Sequence, residues 1–189
     1  IVGKTVANTP NSFLCTKNNF GNFILEFEVF IDKETNSGVQ FRSISDSAFE
    51  KGRVHGYQCE IDPSVRKWSG GIYEEGLRGW LFPVREDKKA QEAFKLGQWN
   101  HFRIEAIGNI IKTFVNQIPV ANLEDDYTKS GFIALQVHSI GKAEEVGIAI
   151  KWKNIRIITD CPEKYVKSTT VPLKNNTNLL TYSEVDWGW

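Results

Sequence analysis

Apolar and polar residues alternate through most of the first 160 positions, the period of a half-buried strand rather than of a helix. In "NFILEFEVFID" Phe23, Leu25, Phe27, Val29 and Ile31 share one face, with Glu26 and Glu28 on the other. "SGVQFRS" sets Val39 and Phe41 against Gln40 and Arg42, and "GYQCEID" sets Tyr57, Cys59 and Ile61 against Gln58, Glu60 and Asp62. "HFRIEAIGNIIKTFVN" predicts a hairpin, its arms carrying Phe102, Ile104 and Ala106 and then Ile111, Thr113 and Val115, with the turn at Gly108-Asn109. "GFIALQVHS" and "GIAIKWKNIRIIT" supply two more strands, the last bulged near Asn154. Only "REDKKAQEAFKLG" has helical spacing, through Ala90, Ala93 and Phe94, with Gly97 as a stop.

Many strands and one short helix predict an all-β fold, two antiparallel sheets packed face to face as a jelly-roll β-sandwich. Phe27, Phe41, Cys59, Ile104, Leu135 and Ile157 are the expected core. The outer faces are of two kinds. Glu26/Glu28, His101/Arg103/Glu105 and Lys151/Lys153 are mixed charges suited to a solvated convex sheet. Gln40/Arg42, Gln58/Glu60/Asp62 and Gln136/His138 are planar amide, guanidinium, carboxylate and imidazole groups that make directional hydrogen bonds. Such a face suits a polyhydroxylated ligand. Between these strands "WSGGIYEEGLRGWLFP" brings Trp68, Tyr73 and Trp80, flat apolar surfaces on which a sugar ring can stack, beside Glu74 and Glu75.

Composition narrows the classes without changing this picture. The 189 residues, 41% hydrophobic, suffice for one well-cored domain, and 23 basic against 23 acidic residues give no electrostatic case for nucleic acid or an anionic membrane. No apolar run reaches the roughly 20 residues of a membrane span. Cys15, Cys59 and Cys161 lack any CxxC spacing, and Cys59 reads as a small core residue.

"NSGVQFRS", "GYQCEID", "SGGIYEEGLRGW", "GQWNHFRIEAIGNIIKTFVN", "GFIALQVHS" and "WKNIRI" occur in the order seen in the 3-keto-disaccharide hydrolase domain family, which this chain resembles from about Asn22 to Thr159. The resemblance implies a concanavalin A-like sandwich over residues 1–160 whose first strand is missing. It further implies action on glycosides oxidised to a ketone at C3, in exported, periplasmic or extracellular bacterial proteins of glycan breakdown. Residues 161–189 read as a linker whose closing "VDWGW" resembles the opening of a second copy, or as a segment that folds back to supply an edge strand.

A ketone at C3 acidifies the hydrogen at C2, so a base can remove it and the C1 substituent can leave. His138 is the expected base, Arg42 the partner of the enolate oxygen, and Glu60, Asp62 or Glu74 the acid for the leaving group. Gln40, Gln58, Asp62, Tyr73, Glu74, Trp80 and Gln136 are the expected substrate-binding residues. Alternatively Glu60, Asp62 and His138 could hold a divalent metal ion that polarises the ketone. Two other readings compete. A non-catalytic carbohydrate-binding module would use the same groove without His138. A laminarinase-like retaining hydrolase would need a second carboxylate where Ser64 and Val65 stand, so Glu74 or Glu75 would have to serve.

Overall fold

The computed structural model describes residues 1–141 and 143–176; the "VDWGW" segment lies outside the described residues. The described residues form thirteen strands: β1 Val2–Lys4, β2 Ser12–Cys15, β3 Phe23–Ile31, β4 Ser37–Ile44, β5 His55–Ile61, β6 Ile72–Glu75, β7 Gly79–Phe82, β8 Trp99–Ile107, β9 Ile110–Val115, β10 Ile118–Glu124, β11 Phe132–Val137, β12 Ala149–Ile158 and β13 Lys174–Asn175. They form a seven-stranded sheet, β1-β12-β3-β8-β9-β10-β13, and a six-stranded sheet, β2-β11-β4-β5-β6-β7. The architecture is the antiparallel jelly-roll sandwich that the alternation predicts, with β10–β13 a parallel pair. The helix shrinks to one turn, α1 (Lys88–Gln91), capped by the Asp87 carboxylate on Ala90 N, with Ala90 and Ala93 buried.

Phe27, Phe41, Cys59 and Ile104 are fully or almost fully buried between the sheets, and Leu135 nearly so. Phe27 stacks on Phe102 at 5.2 Å, an aromatic pair contributing roughly 0.5–1.5 kcal/mol beyond its burial. Ile157 does not join them: it is 37% exposed. β1 pairs with β12 only at Ala149, Ile150 and Lys151, so the second half of β12 is a sheet edge beyond a bulge between Lys153 and Arg156.

The outer face of the seven-stranded sheet is less wet than its charges suggest. Residues 161–176 return across it, and Arg103 and Glu105 are buried beneath them. Arg103 bridges Glu26 at 2.6 Å and Glu105 at 2.7 Å and also donates to the Tyr165 carbonyl. Glu105 in turn accepts from Lys167 N at 2.9 Å. Asn122 Nδ2 donates to Val171 O at 2.9 Å and Lys174 Nζ to Leu81 O at 2.6 Å, fastening the segment at its far end. Charged side chains on a face need backbone partners once a strap covers them, and here the strap supplies them.

Candidate carbohydrate site

Antiparallel register brings the polar face of the six-stranded sheet together. Gln136, Gly38 and Glu60 stand in one cross-strand row, and Ala134, Gln40, Gln58 and Tyr73 in the next, with Trp80 beside Tyr73 on β7. Core residues Leu135, Val39, Cys59 and Ile72 occupy the row between, facing the opposite way. Above the polar rows lies a cavity of about 330 Å³ lined by Asn11, Asn36, Arg53, Gln58, Glu60, Arg66, Tyr73, Glu75, Trp80 and His138. That is the small end of the range for ligand clefts.

Glu60 is the central group. Its side chain is almost fully buried, with Oε1 accepting from Asn36 Nδ2 at 2.5 Å and Oε2 from Gln58 Nε2 at 2.7 Å. Burial pushes its carboxyl up to about 7; the bonds from Asn36 and Gln58 pull the other way, the nearby Asp62 charge adds to the rise and Arg66 opposes it. A carboxyl poised there can give or take a proton near neutrality. His138 lines the same cavity, its Nδ1 lying 2.6 Å from the Ser139 carbonyl. A carbonyl only accepts, so Nδ1 carries the hydrogen and Nε2 of the neutral ring keeps its lone pair.

The aromatic wall is built on β6, β7 and the turn before them. Trp80 meets Tyr73 edge-on at 5.2 Å and Trp68 at 4.7 Å. Arg66 lies 5.2 Å from the Trp68 ring and 5.5 Å from that of Trp80, and pairs with Asp62 at 2.8 Å. The Tyr73 hydroxyl is held above its ordinary range by burial and then by the charges of Glu75 and Glu60.

Several expected site residues lie elsewhere. Arg42 is not in the cavity. Its backbone sits at φ 47° in the β4 bulge between Phe41 and Ile44, which breaks the alternation from Gln40. The guanidinium reaches the Gly21 and Gly108 carbonyls, each at 2.9 Å, in loops of the other sheet, and burial lowers its pKa. Glu74 points into the space between the sheets, where Arg78 bridges it at 2.8 Å and Asp125 at 2.9 Å, and Asp125 accepts from the Tyr57 hydroxyl. Its neighbour Glu75 takes the place in the cavity, bridged to Arg53 at 3.1 Å. Asp62 caps the turn after β5, accepting from Ser64 N at 3.1 Å, and lines a separate cavity with Pro63, Lys67 and Phe94. Gln40 and Gln136 are fully buried beneath the surface, Gln136 with both amide atoms lacking a protein partner.

The proposed metal ligands are therefore not assembled. Asp62 is turned to Arg66 and a different cavity, and no group of three His, Cys, Asp or Glu side chains among the described residues could hold a metal ion. A retaining two-carboxylate hydrolase would have to use Glu60 and Glu75, which line the same cavity. Glu75 faces Gly56, four residues along β5 from Glu60, so their backbone positions stand about 13 Å apart, and only converging side chains would bring the carboxyl groups to the roughly 5–5.5 Å of a retaining pair.

The sequence reading leaves out Asn11, Asn36, Arg53 and Arg66, and gives Glu75 only the second-carboxylate role of a retaining hydrolase. Parity would have found two of them: Glu75 follows Tyr73 by two, and Asn36 precedes Gly38 and Gln40 by two and four. The other three come from loops and carry no such signal.

Residues 1–158 match the model of the 3-keto-α-glucoside-1,2-lyase-like domain, and the chain belongs to that family. No curated protein sequence matches it. Among solved structures it is similar to the carbohydrate-binding module CBM66 of Bacillus subtilis, with a TM-score of 0.55, 17% identity, and 78% of this chain and 81% of that one covered. A Parabacteroides distasonis protein provisionally named a glycosyl hydrolase matches with a TM-score of 0.58, 23% identity, and 79% and 83% covered. At these identities the likeness is one of fold.

Proposed function

We propose that this member of the 3-keto-α-glucoside-1,2-lyase-like family binds one sugar ring in the polar cavity of the six-stranded sheet and cleaves glycosides oxidised at C3. The observation that carries the reading is the pairing of Glu60, a buried carboxyl with a pKa of about 7, and His138, an imidazole with its Nε2 free, on the wall of one cavity. His138 Nε2 takes the C2 proton, and the electron pair of that bond moves into the C2–C3 bond to give an enolate oxygen. Arg66, fixed by Asp62, faces that oxygen with its guanidinium. The ketone then re-forms, a C1–C2 double bond appears, and the C1–O bond breaks. Glu60 donates its proton to the departing oxygen. Products are an unsaturated 3-keto sugar and the free alcohol; addition of water to the former would complete a net hydrolysis. Tyr73 and Trp80 provide the stacking surface for a ring.

A second reading, a non-catalytic carbohydrate-binding module, draws support from Glu60 itself, since both its oxygens already accept from Asn36 and Gln58. One experiment separates the two. An aryl glucoside and its 3-keto counterpart are incubated side by side with the protein while phenol release and binding are followed. Release from the 3-keto compound alone supports the lyase; binding of either without release identifies the module.

A further inference from the structure

Beneath the cavity the polar side chains form an unbroken line. Ser43 Oγ lies 2.6 Å from Gln40 Oε1, Gln40 Nε2 lies 2.7 Å from Gln58 Oε1, and Gln58 Nε2 lies 2.7 Å from Glu60 Oε2. All four residues are at most 4% exposed. Gly38 leaves room for this line: a Cβ there would sit 2.4 Å from Gln58 Cδ. Each amide in such a chain has its oxygen engaged on one side and its nitrogen on the other, so the orientation of one dictates the next.

With Glu60 ionised, the carboxylate can only accept, and every donor in the line points toward it. With Glu60 protonated, Asn36 still donates to Oε1, which leaves the proton on Oε2, facing Gln58. That hydroxyl needs an acceptor. Gln58 provides one by turning its amide over, which presents its nitrogen to Gln40. Gln40 turns in the same way and donates to Ser43 Oγ. The Ser43 proton then has the Phe41 and Tyr57 carbonyls at 3.2 and 3.3 Å to receive it. Both directions satisfy every member of the line, with no proton passing through an amide.

We propose that Ser43, Gln40 and Gln58 form a reversible amide relay whose direction follows the proton on Glu60, so that the carboxyl stays hydrogen-bonded as acid and as base. Its use in catalysis rests on the lyase reading above; its existence does not. The relay makes Gln40 and Ser43 positioning residues, remote from any ligand and acting through Gln58. Other charged or titratable groups face Glu60: Asp62 at the end of its strand, Arg66 in the next turn, Tyr73 and Glu75 on β6, Arg53 ahead of β5, and His138 after β11. Among the described residues the side-chain bonds of Gln40 are to Ser43 and Gln58.

The test is a ligand-free NMR titration from about pH 5 to pH 9, following the Glu60 carboxyl carbon and the side-chain amide of Gln40. The Gln40 resonances should shift with the Glu60 midpoint, stay flat in Glu60→Gln, and uncouple in Gln58→Met while Glu60 still titrates. A stationary Gln40 in the parent protein, a measurement that needs no variant, overturns the relay. So does a Gln40 that still follows Glu60 in Gln58→Met, since the coupling would then act through space. A folded protein that cleaves no 3-keto-glycoside can pass this test, and an active lyase can fail it.

Discussion

Replacing Gly38 by alanine puts a single methyl group under the site. The added Cβ would lie 2.4 Å from Gln58 Cδ, 2.6 Å from Cγ and 2.7 Å from Nε2, distances that real contacts do not sustain. Gln58 is 2% exposed and held at both ends of its amide, so it must leave its place rather than lean aside. Overpacking of this kind costs about 1–3 kcal/mol, which for a chain of this size lowers Tm by roughly 2–12 °C. Displacing Gln58 takes about 1.5–3 kcal/mol from the ionised carboxyl and about 0.5–1.5 kcal/mol from the protonated one, so the Glu60 midpoint rises by about one pH unit at 1.36 kcal/mol per unit. Differential scanning calorimetry and the Glu60 carbon titration read the two effects. Truncating Gln58 to Ala clears the space, so Gly38→Ala should cost markedly less in the Gln58→Ala background, with a coupling of about 1–3 kcal/mol. Strict additivity of the two substitutions, with an unmoved Glu60 midpoint, would refute the reasoning.

Other expectations can be measured directly. The Glu60 carboxyl titrates at about 7 in the fold and near 4.3 when unfolded. Its contribution therefore worsens as pH rises from about 4 to 7 and is constant above, by on the order of 3–4 kcal/mol. Urea unfolding at about pH 4.5 and pH 8 should show that fall in the parent and not in Glu60→Gln; parallel losses would contradict the burial argument. Arg42→Leu should lower stability by about 2–4 kcal/mol while leaving sugar affinity by calorimetry unchanged, since its guanidinium is engaged by the Gly21 and Gly108 carbonyls. Trp80→Ala should weaken sugar binding about three- to tenfold with the fold intact by circular dichroism. Ending the chain after residue 160 should lower the urea midpoint, because Arg103, Glu105 and Asn122 lose backbone partners.

The sandwich was legible because period-two alternation encodes which side of a sheet each residue takes, and Phe27, Phe41, Cys59 and Ile104 could be assigned without knowing which strands are neighbours. The same parity puts Gln58, Glu60 and His138 on one polar face, whereas Tyr73 and Trp80 stand out only as flat rings in a glycine-rich stretch. What failed was parity across irregularities. The bulge in β4 turns Arg42 through to the opposite side, and nothing in "VQFRS" announces it. The glycines of the aromatic stretch before Trp80 make it read as a connection, which hides the strand carrying Tyr73 and Glu75 and groups Glu74 with them although it faces inward. Ile157 and the Arg103–Glu105 pair were misjudged for a tertiary reason: one sits where a strand edge is uncovered, the other where residues 161–176 cover it.

The proposed removal of the C2 proton is tested most directly by a 3-keto-glucoside carrying deuterium at C2. The account predicts a primary isotope effect on alcohol release, loss of the deuterium from the unsaturated product, and no release from the unoxidised glucoside under the same conditions. Cleavage of both glucosides at similar rates, or alcohol release with the deuterium retained and no isotope effect, would contradict it.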